Sequence, residues 1–409
     1  MTASVEKIKC EIDGAMVHSV EAWLTKNHPS VSIEDYMLQF PGAPIFSEAM
    51  KAALKKKAEE TAAAAAVAAA PAPAASTVKE PAVAENKGID IGSIAAAGEV
   101  VKRPFHEVFG LGTIKEAMSM KGDPIQIGTL IKHGKSDQAM VPEKSDDYIY
   151  NVNELKNAIL GIEMNIPVYV WGHKGSGKSD LLEQIAARCN RPYMRVQHSA
   201  NTEESHIVGQ WVIRGGNTEF ELGPLPVAML NGWMFCADEY DFALPSVLAV
   251  YQAVLEGKSL IIKEADAANR IIKPHPNFRF VATGNTNGSG DETGLYQGTN
   301  LQNSANYDRF GMVINKTYLS PKDEAQILHK KVKLVIEDAD KMAQFAALVR
   351  ESYDGGKISD TISPRTLIYA AKIGIARGNF HQGLECSFIN KLTAIDRQVC
   401  AGLAQRIFG

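Results

Sequence analysis

The sequence predicts an α/β sandwich built on a parallel sheet, with a small helical module before it and a helical domain after it. Three observations carry this reading. Between about residues 96 and 320, short apolar runs alternate with helical patterns, the signature of strands covered by helices on both faces. A glycine-rich polar loop, "GHKGSGKS", joins the first of those runs directly to a helical pattern. From about 321 to 409 the periodicity is helical, as in "DEAQILHKKVKLVIEDADKMAQFAALVRESY".

Taken in order, residues 1–57 form a small module ending in the helical stretch "SEAMKAALKKKAEE", whose charge run "LKKKAEE" reads as a solvated helix face. The following "TAAAAAVAAAPAPAASTVKEPAVAEN" carries few large apolar groups. Such a segment cannot bury enough surface to offset its ordering entropy, so 58–95 reads as an Ala/Pro-rich linker. The strands of the main region are "IPVYVW" (166–171), "YMRVQ" (193–197), "GWMFCADE" (232–239) and "FRFVATGN" (278–285). "SDLLEQIAARC", "LPVAMLNG" and "LPSVLAVYQAVLEG" are the helices between them.

The totals exclude several classes. Of the 409 residues, 45% are hydrophobic and 22% charged, as in an ordinary globular protein. A formal net charge of −4 argues against a chain that binds nucleic acid along its whole length. No apolar stretch approaches the roughly 20 residues that span a bilayer, so no membrane partner is expected. The N-terminus lacks the apolar core of a signal peptide. Five widely spaced cysteines without a CxxC pair point to the reducing cytoplasm.

Ligands of parallel sheets sit at the carboxyl ends of the strands, and the polar motifs cluster there. Gly172, His173, Lys174, Gly175, Ser176, Gly177, Lys178 and Ser179 match GxxxxGK[ST] without deviation. Glycines let backbone N–H groups turn towards phosphate oxygens, and the helix that follows adds its positive end. Lys178 is expected to reach the β- and γ-phosphates of ATP and Ser179 to ligate Mg²⁺. His173 is assigned no chemistry. About 60 residues on, "WMFCADEYD" ends a strand in Asp238, expected to hold Mg²⁺, and Glu239, expected to polarise the attacking water. Asn285 ends a third strand, where it could orient that water. Arg309 in "YDRFG" could reach the γ-phosphate of a neighbouring subunit. Arg365 in "ISPRTLIYAAK" opens a helix and could contact phosphate from the helical domain. Asp291 and Glu292 lie in a glycine-flanked loop that reads equally as a partner loop or plain surface.

Together these residues resemble the AAA+ ATPases, specifically the MoxR-like group, and within it the AAA+ subunit of aerobic cobaltochelatase, the CobS type. The likeness runs from about 105 to 320. It includes "FHEVFG", "CADEYD", "KPHPNFRFVATGNT" (273–286), "GDETGLYQGT" (290–299) and "YDRF". "HIVGQWVIRGGNTEFELGPL" (206–225) looks like the hairpin insertion of this group. The resemblance implies a three-layer P-loop AAA+ sandwich followed by a helical lid. It implies ATP and Mg²⁺ as cofactors, Asn285 as sensor 1, Arg309 as arginine finger and Arg365 as sensor 2. It also implies a homo-oligomeric ring, usually a hexamer, that remodels a partner. For the chelatase type the partners are a protein with a von Willebrand A-like domain and a large chelating subunit, and the end reaction is Co²⁺ insertion into a corrinoid. A P-loop GTPase is disfavoured because no NKxD-like motif follows the acidic strand.

Residues 1–95 depart from that pattern. "HPSVSIEDYMLQFPGAPIF" (28–46) resembles part of the Ros/MucR zinc-finger regulators, which would make Cys10, Asp13, His18 and His28 metal ligands. Their spacing does not match that family well, and Trp23 stands where a histidine is expected. A helical docking module without metal is the plainer reading.

Overall fold

The computed structural model describes residues 7–17, 19–28, 33–41, 43–47, 99–112, 114–131, 135–291 and 294–409. The linker 58–95, the charge run 54–60, His18 and Glu292 lie outside the described residues. The chain divides into two compact units, Met1–Val83 and Ala84–Gly409.

In the first unit, the antiparallel pair Ile8–Lys9 and Met16–Val17 joins helices Val20–Asn27 and Ile33–Gln39. Cys10, Val17, Val20, Leu24 and Tyr36 form its core. The Cys10 thiol is therefore packed among apolar side chains, while His28 Nε2 pairs with Asp13 Oδ2 at 2.9 Å. Among the described residues no three His, Cys, Asp or Glu side chains gather where they could hold a metal.

The second unit is built on a five-stranded parallel sheet. Helix α1 (Val152–Glu163) leads into β1 (Val168–Trp171), and α2 (Lys178–Arg188) follows it. Next come β2 (Tyr193–Gln197), then β3 (Gly209–Arg214) and β4 (Asn217–Leu222), which form a separate hairpin. Gly215 and Gly216 turn that hairpin with φ of 57° and 86°, the two positive values a two-residue type I′ loop requires. Helix α3 (Pro224–Asn231) precedes β5 (Met234–Asp238), and β6 (Arg279–Gly284) and β7 (Met312–Asn315) complete the sheet. The order is β7-β1-β6-β5-β2, every neighbouring pair parallel.

Alternation within the strands divides the core in two. Tyr169, Phe235, Ala237, Phe280 and Ala282 face one layer. Val168, Val170, Met234, Cys236 and Val281 face the other, with Leu155, Ile159 and Ile162 of α1 and Leu181, Leu182 and Ile185 of α2. Burial on both faces is why these strands read as nearly continuous apolar runs.

One expectation needs correction, and one helical stretch resolves into two helices. The stretch 244–257 is not one helix: it runs as α4 (Pro245–Leu248), a 3₁₀ turn at Ala249–Tyr251, and a last turn at Gln252–Leu255. Its buried Leu248, Tyr251 and Val254 recur every three residues, a spacing that a tightened turn aligns on one side. Likewise, 323–353 is split between α5 (Pro321–Val332) and α6 (Ile336–Asp354), where Lys333 takes a left-handed conformation at φ 61°.

Three more helices follow: α7 (Pro364–Arg377), α8 (Phe380–Ser387) and α9 (Ala394–Phe408). With α5 and α6 they enclose a third core around Phe345, Leu367, Leu384 and Cys400. A buried ion pair ties α5 to α6, Arg350 bonding both oxygens of Glu324 at 2.7 and 2.9 Å. Burial raises the Glu324 carboxyl, and the guanidinium opposes that rise. Arg350→Met leaves this carboxylate buried and unpaired, so chemical denaturation should show a loss of about 3–5 kcal/mol. Adding Glu324→Leu should recover most of it.

Candidate nucleotide-binding site

At the carboxyl ends of β1, β5 and β6 lies a cavity of about 560 Å³. The strand order explains its contents. Because β6 runs between β1 and β5, Asn285, which follows it, stands between the glycine-rich loop and the acidic pair.

The loop leaves β1 at Gly172, where an added Cβ would lie 2.2 Å from the Lys316 carbonyl oxygen. It ends at Gly177, left-handed at φ 85°, as the N-cap of α2. The first residue of that helix, Lys178, is buried, and its ammonium donates to the carbonyls of Gly172 (2.8 Å) and His173 (3.2 Å) and to Asn285 Oδ1 (2.9 Å). Burial lowers its pKa to about 8, against the pull of Asp241, Asp238 and Glu239.

Asp238 is the hub of the acidic side. Its Oδ1 accepts from Ser179 Oγ and Thr283 Oγ1, both at 2.6 Å. Its Oδ2 accepts from Arg195 Nε at 2.8 Å and from Arg195 Nη2. Burial resists ionisation of this carboxyl, but the bonds from Ser179, Thr283 and Arg195 outweigh it and hold the group below its usual range. Glu239 takes a left-handed backbone, φ 52°, and its Oε2 accepts from Gln197 Nε2 at 2.9 Å. Arg195 and Gln197 are alternate residues of β2, so they share a face and hold one carboxylate each.

Behind β6, Asp241 Oδ2 accepts from the N–H groups of Asn285 and Thr286, both at 2.8 Å, which fixes the turn that presents Asn285. Gly284 is required there. A Cβ would lie 1.8 Å from the Tyr169 hydroxyl, which itself donates to the Thr286 carbonyl.

Of the residues singled out from sequence, Lys174 through Ser179, Asp238, Glu239, Asn285 and Arg365 line the cavity. Arg365 arrives on the first turn of α7, capped by Ser363 and opened by Pro364. Gly172 and His173, at the start of the loop, do not line the cavity. Arg309 is not among the lining residues either. Its Nε donates to Glu256 Oε1 at 2.7 Å, and another of its N–H groups to the Ala305 carbonyl.

Sequence reasoning missed Arg195, Gln197, Thr283 and Tyr296. The alternation within "MRVQ" was the available signal for the first two. Tyr148, Ile149, Leu319, Ile327 and Ile368 add an apolar end to the cavity, suited to a flat base. Chemically, the site offers inward N–H groups and an ammonium for phosphate. Ser179 Oγ and Asp238 Oδ1, 2.6 Å apart, are hard oxygen donors that fit Mg²⁺.

Fold and site together define a P-loop ATPase of the AAA+ class. Residues 167–310 match the family model AAA domain (dynein-related subfamily), and residues 324–407 match CbbQ/NirQ/NorQ C-terminal. The aerobic cobaltochelatase subunit CobS of a Sinorhizobium species is 35% identical over 315 residues, covering 74% of this chain and 89% of that protein. Protein NorQ of Paracoccus denitrificans is 25% identical over 248 residues, 60% of this chain and 87% of its own. The mouse von Willebrand factor A domain-containing protein 8 is 28% identical over 144 residues, 33% of this chain and 7% of its own. The chain belongs to the MoxR-like AAA+ ATPases, in the family of the cobaltochelatase subunit CobS, and is an ATP-hydrolysing enzyme. Among the described residues no helix is long and apolar enough to cross a membrane.

Removing the buried ammonium should empty the site of nucleotide. Titration of Lys178→Ala with a fluorescent ATP analogue is expected to give no saturable binding, with an unchanged circular dichroism spectrum.

Proposed function

We propose that this protein is the motor of a homo-oligomeric ring, six copies being the usual number, that uses ATP hydrolysis to remodel a partner protein or complex. The observation that carries this reading is the position of Arg309. The other catalytic candidates gather around one cavity, whereas Arg309 lies outside it, partly exposed and held by Glu256. An arginine so placed suits the active site of an adjoining subunit, which makes each site a composite of two copies.

Within one copy, the N–H groups of 175–179 and the Lys178 ammonium bind the β- and γ-phosphates. Ser179 and Asp238 would hold Mg²⁺, which would supply positive charge against the phosphates. Asn285, fixed by Asp241, orients the attacking water, and Glu239 accepts its proton. Arg365 brings positive charge from the first turn of α7, so the helical region 321–409 acts as a lid over the core 96–320. Residues 1–57 serve as a docking module on the linker 58–95.

The relation to a protein named for its von Willebrand factor A domain supports a partner of that type. Free cysteines at positions 10, 189, 236, 386 and 400 support a cytoplasmic setting. A second reading, the motor of a cobalt chelatase acting on a corrinoid, is favoured by the 35% identity to CobS across most of that subunit.

Glu239→Gln is expected to bind ATP, slow hydrolysis about 10²- to 10⁴-fold, and form rings visible by electron microscopy. Persistent monomers in saturating ATP would sink the ring reading. The partner retained by this variant separates the two readings: a large corrinoid-binding subunit supports the chelatase. Arg309→Ala should keep its affinity for ATP and lose turnover by about 10³-fold or more; normal turnover would remove the arginine finger from the scheme.

A further inference from the structure

The stretch "GDETGLYQGT" and the histidine inside the phosphate loop remain without a role in that scheme. The geometry points to one: we propose that Tyr296 and Tyr318 are positioning residues that hold the P-loop in its phosphate-binding shape by clasping the backbone of Lys174.

Both backbone groups of Lys174 are taken by phenols. Its N–H donates to Tyr296 Oη at 2.9 Å, and its carbonyl accepts from Tyr318 Oη at 3.0 Å. The two tyrosines lie 122 and 144 residues further along the chain. Tyr296 Oη also lies 3.0 Å from His173 Nδ1. The phenol oxygen accepts from Lys174, which leaves its own proton available to Nδ1 in the tautomer that carries its proton on Nε2. The His173 ring stacks on Tyr318 at 6.0 Å and 10°. Burial lowers the pKa of this imidazole and raises that of both phenols, Tyr296 to about 12, so each group keeps the form that the network needs.

The consequence for phosphate follows from peptide planarity. A trans peptide points its C=O and N–H in opposite directions. The Lys174 carbonyl shares a plane with the Gly175 N–H. Drawing that carbonyl back to Tyr318 therefore turns the Gly175 N–H forward, on a residue that lines the cavity. In the preceding plane, holding the Lys174 N–H on Tyr296 turns the His173 carbonyl the opposite way, towards Lys178 Nζ, which it meets at 3.2 Å. Two hydroxyls thus set one phosphate-facing donor and one anchor of the lysine.

Tyr296 is itself braced. Its N–H donates to Asp291 Oδ2 at 2.8 Å. Further along, the Asn300 N–H donates to the Asp241 carbonyl at 2.7 Å, and its side-chain amide to the carbonyls of Phe242 and Ala243. The loop carrying Tyr296 is therefore a strut between the turn after β5 and the His173–Lys174 segment of the P-loop.

Tyr296→Phe and Tyr318→Phe each remove a single oxygen and leave the ring packing in place. In the full-length protein, each should raise the Kd for ATP about 3- to 10-fold, the worth of one hydrogen bond. The loss should fall on Kd and KM rather than on kcat, and the ATP-induced rise in Tm should shrink. An unchanged Kd in both variants overturns the proposal, even if Tm of the ligand-free protein falls, because that result assigns the hydroxyls to stability alone. The inference rests on nucleotide binding by the loop and not on ring assembly. Equilibrium binding tests it at any oligomeric state, and Lys178→Ala marks complete loss.

Discussion

The Asp238 carboxylate is the point on which the site closes. It is buried, carries a charge, and is bonded by side chains from α2, β2 and β6. A buried charge is tolerated only when its lone pairs are satisfied, so the three elements must arrive in one register. The parallel pairing of β2 with β5 and of β5 with β6 supplies that register. Gln197 lies opposite Asp238, and Arg195, two residues earlier on the same face, reaches its Oδ2. Sheet order, strand length and the polar site are thus one constraint rather than three.

The same economy recurs at β6. Tyr169 packs beneath it with its hydroxyl on the Thr286 carbonyl, which leaves no room for a side chain at position 284. Asp241 then collects the two N–H groups that follow. A buried tyrosine of β1 and a buried aspartate beyond β5 therefore aim Asn285 at the phosphate loop. Packing from the apolar layer determines where a polar side chain stands.

Much of this could be read from the residues in order. Strands β1, β5 and β6 are nearly continuous apolar runs because both of their faces are covered, and polar residues follow or end each of them, whereas the edge strand β2 alternates instead. Strand β7 escaped notice because only Ile314 of its four residues is fully buried, so no run marks it. Side chains that act on distant carboxylates were harder to see. Arg195 reaches across 43 positions to Asp238, and Glu256 lies 53 positions from Arg309. Neither pair shares a local motif; each exists only once the strands and turns are assembled. The tyrosines around Lys174 belong to the same class, since a phenol in a sequence says nothing of which backbone it will clasp.

The lid meets the back and edge of the loop directly. Lys174 Nζ pairs with Asp360, Tyr353 stands edge-on to His173 at 5.7 Å, and a Cβ on Gly175 would lie 2.6 Å from the Ser363 side chain. The helices after residue 320 and the cradle for phosphate are consequently in mechanical series. A rotation of those helices must either break these contacts or carry the loop with it. Lid position and nucleotide binding are then linked equilibria, and the free energy by which one biases the other is the same in both directions. An external load applied to the C-terminal helices would be felt as a change in how tightly ATP is held.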